Sequence, residues 1–209
     1  FPQVIFPVYI IHVRAHPPSS MSEFAENITL LREKMEQELA RSQPYEAMLY
    51  CQSFLARKKK SLSGEEATTC LVEGARTLLE RQEFKYSASL IVWFVDSKLL
   101  NVDRAHDIFS LLPLLPPTNA MNFLDILFVP FSNFLESKSS TGGHQSLLML
   151  HTFCGPLFEA AGHNRQAMKC YHSSNDMIGV VRVLDVMAKQ GHSSEYPLFF
   201  TRTYLFLLS

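Results

Sequence analysis

The sequence predicts an all-α protein built from stacked helical hairpins. Apolar residues recur three and four positions apart along most of the 209-residue chain, which is the spacing of one face of an α-helix. No segment shows the sustained alternation of apolar and polar residues that is typical of a half-buried β-strand. Short polar turns separate the helical segments, so neighbouring helices are expected to pack as antiparallel pairs. Roughly three quarters of the chain is predicted to be helical.

The first predicted hairpin consists of a helix at residues 23–41 and a second helix at 44–60. The apolar stripe of the first helix is formed by Phe24, Ile28, Leu31, Met35 and Leu39. Pro44 stands where the second helix would begin, a first-turn position that proline tolerates. The expected core residues of the second helix are Tyr45, Met48, Leu49 and Phe54, with Ala47 as a small residue for close packing.

The second predicted hairpin begins with a capping box. Ser63 can accept a hydrogen bond from the Glu66 amide, while the Glu66 side chain bonds back to the Ser63 amide. The helix that follows is expected to bury Ala67, Leu71, Ala75, Leu78 and Leu79. After a polar turn at residues 81–83, a helix at 85–100 is apolar on almost all sides, which predicts a central position. Its apolar residues include Leu90, Ile91, Trp93, Phe94 and Val95.

The second half of the chain is more interrupted. A short helix is predicted at residues 102–112 and ends at Pro113, because proline disfavours a helix in the residue before it. A longer helix at 118–138 contains Pro130, and a Ser, Thr and Gly loop at 139–143 follows it. Helices are then predicted at 145–161, at 165–172, after the break at 173–176, and at 196–208. The expected core of the helix after that break is Ile178, Val181, Leu184, Val186 and Met187.

Small residues near helix starts indicate a repeated hairpin. Ala47, Ala67 and Ala167 each lie close to the beginning of a helix, and Gly162 stands at the turn before the last of them. This arrangement resembles the tetratricopeptide pattern, in which small residues let two helices cross closely. Because the spacing is irregular, we predict an α-solenoid of stacked antiparallel hairpins with degenerate tetratricopeptide-like repeats. A single helical bundle with incidental alanines is the alternative.

Charge and composition argue against several functional classes. The 19 Lys and Arg residues nearly balance the 20 Asp and Glu residues, whereas proteins that bind nucleic acid usually carry a basic surplus. No apolar run without charge reaches the roughly 18 residues of a membrane span. Gly142 and Gly143 are followed by His and Gln rather than Lys, so no phosphate-binding loop is present. We therefore predict no nucleic-acid partner, no membrane span and no nucleotide cofactor.

The cysteines are the residues that could suggest reactive chemistry. All lie inside apolar periodic segments, where a free thiol behaves as a small hydrophobe; they are Cys51, Cys70, Cys154 and Cys170. His151 near Cys154, or Cys170 near His172 and Asp176, could be interpreted as a nucleophile or a metal site. A catalytic thiol needs a cationic environment and a zinc site needs four converging ligands, and neither pattern is visible. We therefore predict no catalytic, cofactor-binding or metal-binding residue.

Several segments resemble the fourth Golgi-to-ER traffic protein family. In the N-terminal half they are Tyr-Glu-Ala-Met at residues 45–48, Leu-Val-Glu-Gly-Ala at 71–75 and Ser-Ala-Ser-Leu at 87–90. The similarity is strongest over residues 148–176, and it continues at 191–195 and 198–199. It covers about residues 29–209 and is weakest at 102–143. The ordered set of hairpins, rather than any single motif, identifies the family.

The resemblance implies an adaptor without enzymatic activity in the cytosolic targeting of tail-anchored proteins to the ER membrane. Family members are α-solenoids whose N-terminal half docks a targeting ATPase. Their C-terminal half holds a ubiquitin-like protein and, in animals, a BAG-domain chaperone. The corresponding parts of this chain are residues 21–138 and 139–209. A generic tetratricopeptide-like adaptor is the alternative function, followed by a Cys-dependent enzyme.

The chain departs from the family at both ends. Residues 1–20 match nothing in relatives, so we expect an unstructured extension or a gene-model artefact, with Met21 as the true start. Relatives continue for several helices past the position of Ser209. The resemblance therefore implies that the C-terminal half is truncated and that the site for the ubiquitin-like partner is incomplete.

Basic residues of the first two helices are the expected contacts for the ATPase. Arg57 and Lys58 begin a basic run at residues 57–60, at the end of the second predicted helix. Cations at that end offset the helix dipole, so a solvated cap is the simpler interpretation of the run. Arg57 falls at a position that looks basic in relatives, and Arg32 and Lys34 lie on the first helix. The resemblance thus implies a partner-binding role for these four residues.

Overall fold

The computed structural model of the chain describes residues 19–116, 118–138, 142–190, 197–198 and 200–201. In these ranges it is all-α, with 82% helix, nine α-helices and no β-strand, which confirms the predicted class. The helices are α1 (Ser19–Ala40), α2 (Pro44–Lys58), α3 (Gly64–Glu80), α4 (Phe84–Asp96), α5 (Ala105–Phe109), α6 (Ala120–Ser137), α7 (Gly143–Ala160), α8 (Asn164–Ser173) and α9 (Met177–Gln190). Short 3₁₀ helices at Val102–Arg104 and Leu112–Leu114 flank α5.

Several predictions about the ends of the chain and its loops lie outside the described residues. Residues 1–18, most of the predicted N-terminal extension, are among them, whereas Ser19 and Ser20 belong to α1. The same holds for residues 139–141 of the predicted loop, the turn at 191–195 and the final segment 202–209. Of the last predicted helix, residues 197–198 and 200–201 are described, and they are helical.

The first four helices follow the predicted apolar stripes closely. Leu31 and Met35 of α1 are fully buried, and the rest of that stripe packs against the core. The capping box before α3 is present, since the Glu66 amide donates to Ser63 Oγ at 3.2 Å and the Ser63 amide donates to Glu66 Oε2 at 2.8 Å. All five predicted core residues of α3 are buried. Helix α4 is central as expected, because it packs against α2, α3 and α6.

Three predicted core residues are wrong. Tyr45 of α2 is 51% exposed, and Ile178 and Val181 of α9 are 78% and 57% exposed. Each of these helices has apolar residues on more than one face. The face of α2 that is buried carries Ala47, Met48, Cys51, Phe54 and Leu55. The buried face of α9 carries Gly179, Val180, Val183, Leu184 and Ala188.

Five interhelical turns share one backbone geometry. In each, a residue with positive φ follows the helix end, and the next amide donates back to the carbonyl five residues earlier, as in a Schellman motif. The positive-φ residues are Ser42, Gln82, Lys98, Gly162 and Asn175. The backbone bonds run from Gln43 to Glu38, Glu83 to Leu78, Leu99 to Phe94, His163 to Phe158 and Asp176 to Tyr171, at 2.8–3.3 Å. The same backbone turn therefore recurs along the chain, although the sequences of the turns differ.

After four of these turns, a buried Ala, Ser or Val occupies the same position in the following helix. Five positions after the positive-φ residue stand Ala47, Ser87, Ala167 and Val180. Ser87 donates its hydroxyl hydrogen to the Ala75 carbonyl oxygen of α3 at 3.0 Å. The crossing of α3 and α4 is thus close enough for a direct hydrogen bond between a side chain and the backbone of the neighbouring helix.

Helices pack on their sequence neighbours and on the next helix but one. Helix α1 contacts α2 and α3, and α2 contacts α3 and α4. Helix α4 packs directly on α6, and α6, α7, α8 and α9 pack in order, while the short α5 lies against α3 and α7. A single hydrophobic cluster runs from Leu31 to Leu184. Within the described residues, no helix combines the length and the apolar character needed to cross a membrane.

Candidate protein interface

Arg32 is exposed on α1, on the side of that helix that borders α3. From α1 it forms ion pairs with two glutamates of α3, Nη1 to Glu73 Oε1 at 3.3 Å and Nη2 to Glu80 Oε2 at 3.5 Å. A neighbouring ion pair between Glu36 and Arg81 joins the same two helices. The side chain is still 49% exposed, so these contacts are screened by water. Arg32 therefore contributes to the α1–α3 contact in addition to any role at the surface.

Lys34 lies on a different side of α1 from Arg32. Two residues along a helix correspond to a rotation of about 200°, which directs the two side chains to opposite flanks. The Lys34 ammonium donates to Gln37 Oε1 at 3.1 Å on the exposed surface. The structure thus does not bring Arg32 and Lys34 together on one face.

Arg57 and Lys58 differ in their surroundings although they are adjacent. Arg57 is exposed, and its Nε donates to the Ser53 carbonyl oxygen at 3.1 Å. The two terminal nitrogens of its guanidinium form no hydrogen bond or ion pair with any described residue. Lys58 is half-buried at the end of α2, where its carbonyl oxygen accepts from the amides of Ser61 and Leu62 at 2.9 Å. Of this pair, Arg57 is the residue better placed to meet a partner.

Arg57 lines a groove between α1 and α2 that we call the α1–α2 groove. Its volume is about 1010 Å³, and its lining residues are Glu38, Gln43, Glu46, Leu49, Tyr50, Ser53, Ala56 and Arg57. Glu38 is six residues past Arg32, which places it about 120° round α1 from the side that faces α3. The groove is therefore on a flank of the first hairpin that α3 leaves open.

The α1–α2 groove has opposite charges at its two ends. Glu38 and Glu46 lie near the turn that joins α1 to α2, and Arg57 lies about 16 Å away along α2 at 1.5 Å per residue. Glu38 is paired with Arg41 at 3.1 Å, whereas Glu46 forms no ion pair with any described residue. Half-buried Leu49 and Tyr50 supply apolar surface between the ends.

A pair of aromatic rings, one exposed and one half-buried, lies beside this hairpin and was not expected from the sequence. Tyr45 and Tyr86 stand in the first turns of α2 and α4, with ring centroids 6.4 Å apart and ring planes tilted by 58°. Tyrosine is a frequent anchor of protein interfaces because it combines a large apolar ring with a polar hydroxyl. The apolar pattern assigned Tyr45 to the core. The sequence held one sign that Tyr45 lies on a different face of α2. It stands two residues before the small Ala47, and side chains two residues apart point to different sides of a helix.

A polar cluster joins the last three helices. Arg182 of α9 holds the Glu159 carboxylate of α7 with two bonds, Nε to Oε1 at 2.6 Å and Nη2 to Oε2 at 2.7 Å. The Tyr171 hydroxyl of α8 donates to Glu159 Oε2 at 2.5 Å. The hydrogen bonds from Arg182 lower the pKa of Glu159, and burial, then the bond to Glu159, raises the pKa of Tyr171 to about 12. This cluster links α7, α8 and α9. At neutral pH Glu159 is negatively charged, Arg182 is positively charged and Tyr171 is neutral.

The cysteines lie in environments that oppose nucleophilic chemistry. All four thiols are free and buried. Burial raises the pKa of Cys70 to about 11 and that of Cys170 to about 12, and it also raises the pKa of Cys51 and Cys154. Thiols with such pKa values are protonated at neutral pH, whereas the nucleophile is the thiolate.

His151 and Asp176, which the sequence placed beside cysteines as a possible nucleophile or metal site, have structural contacts. The ring of His151 stands edge-on to Phe128 with centroids 5.6 Å apart, and burial lowers its pKa. Asp176 caps α9, since its Oδ1 accepts from the Gly179 amide at 3.0 Å. In the described part of the chain, no three His, Cys, Asp or Glu side chains are grouped so that they could hold a metal ion.

The features that stand out as candidates for partner binding are therefore the α1–α2 groove and the adjacent tyrosine pair. Both lie on the first two hairpins, and Arg57 is the predicted contact residue that lines the groove. No match was found to a protein-family model, to a curated protein or to a solved structure. The interpretation of these surfaces consequently depends on their geometry and chemistry.

Proposed function

We propose that this chain is an adaptor without enzymatic activity, an α-solenoid of degenerate tetratricopeptide-like hairpins that holds other proteins on its surface. The observation that carries the proposal is the packing of helices on the next helix but one, such as α1 on α3 and α2 on α4. The recurrent turn geometry also supports it. Stacked hairpins leave extended helix faces that suit protein binding.

We propose a specific role for this adaptor, the cytosolic targeting of tail-anchored proteins to the ER membrane. Three of the predicted hairpins, α1–α2, α3–α4 and α7–α8, are packed pairs in the structure, which agrees with this proposal. In this proposal the N-terminal helices dock a targeting ATPase and the C-terminal helices hold a ubiquitin-like protein. The proposed contacts for the ATPase are Arg32, Lys34, Arg57 and Lys58. Of these, Arg32 also pairs with Glu73 and Glu80 of α3.

A Cys-dependent enzyme is disfavoured by the state of the thiols. A catalytic cysteine needs a nearby cation and access to its substrate. Each thiol here is buried and has a raised pKa whose first cause is burial itself. Slow reaction of all four thiols with a labelling reagent in the folded chain would agree with the adaptor proposal.

Binding of the targeting ATPase tests the proposal directly. The full 209-residue chain is mixed with the ATPase of the same organism, and the association rate is measured by surface plasmon resonance at low and high salt. We expect specific binding that Arg57→Glu slows by about three- to tenfold at low salt, with a smaller effect at high salt, because an exposed charge steers association.

Arg165→Glu is the matched control for this experiment. Arg165 is exposed on α8, far along the chain from the first hairpin, and its substitution makes the same change in net charge. Equal slowing by both variants would show that only net charge matters and would remove Arg57 from the interface. No binding of the unmodified chain to the ATPase would contradict the targeting role.

A further inference from the structure

The end of α2 carries the one place in the sequence where Lys or Arg residues are adjacent to one another. This basic run consists of Arg57, Lys58, Lys59 and Lys60. The ammonium groups of its three lysines form no hydrogen bond or ion pair with any described residue. Lys58 is half-buried, and the other three residues of the run are exposed. The positive charges of the run are therefore accessible from solvent.

An exposed serine follows the basic run directly. Ser61 lies in the turn at residues 59–63 that joins α2 to α3. Its hydroxyl donates to the Lys58 carbonyl oxygen at 3.1 Å, and the same oxygen accepts from the amides of Ser61 and Leu62 at 2.9 Å. If the hydroxyl bond were lost, the carbonyl would keep both amide donors. The fold therefore depends little on the Ser61 hydroxyl.

Ser63, two residues later, is held by the fold instead. Its Oγ accepts from the Glu66 amide at 3.2 Å in the capping box, so a modification there would disturb the start of α3. Ser63 is also followed closely by Glu65 and Glu66, whereas Ser61 is preceded by four basic residues and followed by an apolar one. Of the two serines, Ser61 is the one that can be modified without loss of a structural contact that the helix needs.

We propose that Ser61 is phosphorylated by a protein kinase that selects serines preceded by basic residues, and that the phosphate weakens docking of the targeting ATPase. Kinases distinguish their substrates by patterns of charge. A kinase with acidic groups in its substrate groove would pair with the lysines before Ser61. The site does not depend on the proposed function, whereas its effect on the ATPase rests on it.

The reaction is a phosphoryl transfer from ATP. The Ser61 Oγ attacks the γ-phosphorus, the bond between that phosphorus and the bridging oxygen of ADP breaks, and the hydroxyl proton passes to the catalytic Asp of the kinase. The products are phosphoserine and ADP. To enter the kinase, the turn at 59–63 and the last turn of α2 must open, and helix ends open at low free-energy cost.

The phosphate changes the charge of the surface on which Arg57 lies. It adds about −1.5 to −2 charges at neutral pH, which offsets up to half of the four positive charges of the basic run. A negative group just past the C-terminal end of α2 is also unfavourable to the helix dipole. We therefore expect the phosphorylated chain to attract an acidic partner less strongly.

Phosphorylation of the full chain in vitro tests the site. The chain is incubated with ATP and the catalytic subunit of cyclic-AMP-dependent protein kinase, and separately with protein kinase C, and mass spectrometry maps the modified residues. We expect Ser61 to be the main site and Ser63→Ala to remain modified there. Lys59→Glu combined with Lys60→Glu should lower kcat/KM for Ser61 by about tenfold or more, because the kinase loses its charge contacts.

Arg165→Glu combined with Lys169→Glu is the matched control. Both residues are exposed on α8, and the double substitution makes the same change in net charge. Its kcat/KM for Ser61 should equal that of the unmodified chain. Circular dichroism and thermal melts confirm that each variant is folded.

Three results would overturn the site. The first is no phosphate on Ser61 with either kinase. The second is faster modification of another residue of the chain. The third is an equal loss of kcat/KM in the two double variants, because the basic run would then have no specific role.

The association rate with the ATPase tests the effect of the phosphate. We expect the phosphorylated chain to associate about three- to tenfold more slowly than the unmodified chain at low salt, with a smaller difference at high salt. Ser61→Ala treated with the same kinase is the control and should associate at the unmodified rate. Equal rates for the phosphorylated and unmodified chains would overturn the regulatory effect. Phosphorylation of Ser61 in a chain that does not bind the ATPase would contradict the targeting role and leave the site standing.

Discussion

At the scale of single residues, two glycines of different helices pack closely against the ring of Tyr171. A Cβ atom at Gly155 of α7 would stand 2.8 Å from the Tyr171 ring, and one at Gly179 of α9 would stand 2.6 Å from it. Cβ atoms do not approach other atoms so closely, so a side chain at either position would force the ring or a helix to shift. The ring of Tyr171 therefore fills a slot between two helices, and its hydroxyl reaches Glu159 at the same time.

Gly179→Ala tests this slot. The added methyl group would push against the ring of Tyr171, and overpacking of this kind costs about 1–3 kcal/mol of stability. Urea denaturation measures the change in the free energy of unfolding. Gly64→Ala is the matched control, because a Cβ at Gly64 meets nothing within 4 Å. If Gly179→Ala lost no more stability than Gly64→Ala, the close contact with Tyr171 would be wrong.

Glu159→Gln tests the charge in the same cluster. Arg182 lowers the pKa of the folded Glu159, so the ion pair stabilises the fold at neutral pH, and this contribution is lost as the pH falls through that lowered pKa. We expect a loss of about 1–2 kcal/mol at neutral pH for a hydrogen-bonded charge pair that is partly screened by water. Denaturation curves at neutral and acidic pH measure the difference between the two proteins.

The pH dependence distinguishes a lost charge from a general loss of packing. The difference between Glu159→Gln and the unmodified chain should shrink at acidic pH, where Glu159 is itself neutral. Glu33→Gln, at an exposed position of α1 without an ion pair in the described part of the chain, should have no comparable effect. A loss of stability that stays the same from neutral to acidic pH would show that the charge of Glu159 is not its cause.

At the scale of elements, the ends of the helices are encoded locally. The capping box of Ser63 and Glu66 satisfies two amides at the start of α3. Two prolines lie inside helices, since α6 continues through Pro130, as the sequence predicted, and α7 continues through Pro156. Each of these prolines removes one backbone hydrogen bond, and the packing of α6 and α7 on their neighbours holds both helices together.

Ser63→Ala tests the contribution of the cap. Loss of the side-chain acceptor should cost about 1 kcal/mol of stability, as measured by thermal or urea denaturation. Ser53→Ala is the control, since the Ser53 hydroxyl bonds to none of the described residues and alanine favours the helix interior. An equal effect of the two substitutions would contradict the role of the capping box.

At the scale of the whole molecule, one hydrophobic core joins all the hairpins. It extends from α1 to α9 without a division between the predicted N-terminal and C-terminal parts, because α6 of the first part packs on α7 of the second. Helix α4 has three packing partners, whereas the beginning of α1 exposes most of its side chains. Stability is therefore expected to be unevenly distributed along the stack.

Hydrogen exchange followed by mass spectrometry measures this distribution. Amides of α4 should exchange slowly, because opening that helix exposes surface against α2, α3 and α6 together. Amides near the start of α1 should exchange much faster, since residues 23–30 pack against the rest of the protein only in part. Uniform protection of α1 and α4 would contradict this order.

The sequence by itself determined the helical class, the first two hairpins, the cap of α3 and the buried stripe of that helix. These features depend on residues within one or two turns of each other, so local physics decides them. Of the candidate interface, the sequence predicted the basic residue Arg57. It did not indicate the acidic end of the groove at Glu46 or the pairing of Tyr45 with Tyr86.

Only the tertiary structure decided which face of a helix with apolar residues on two sides is buried. Tyr45 and Ile178 fit an apolar stripe, yet the neighbouring helices cover other faces of α2 and α9. Likewise, only the fold brings Glu73 and Glu80 of α3 beside the exposed Arg32, from more than forty residues away. The burial of a helix face depends on contacts between distant parts of the chain, and a local pattern does not contain them.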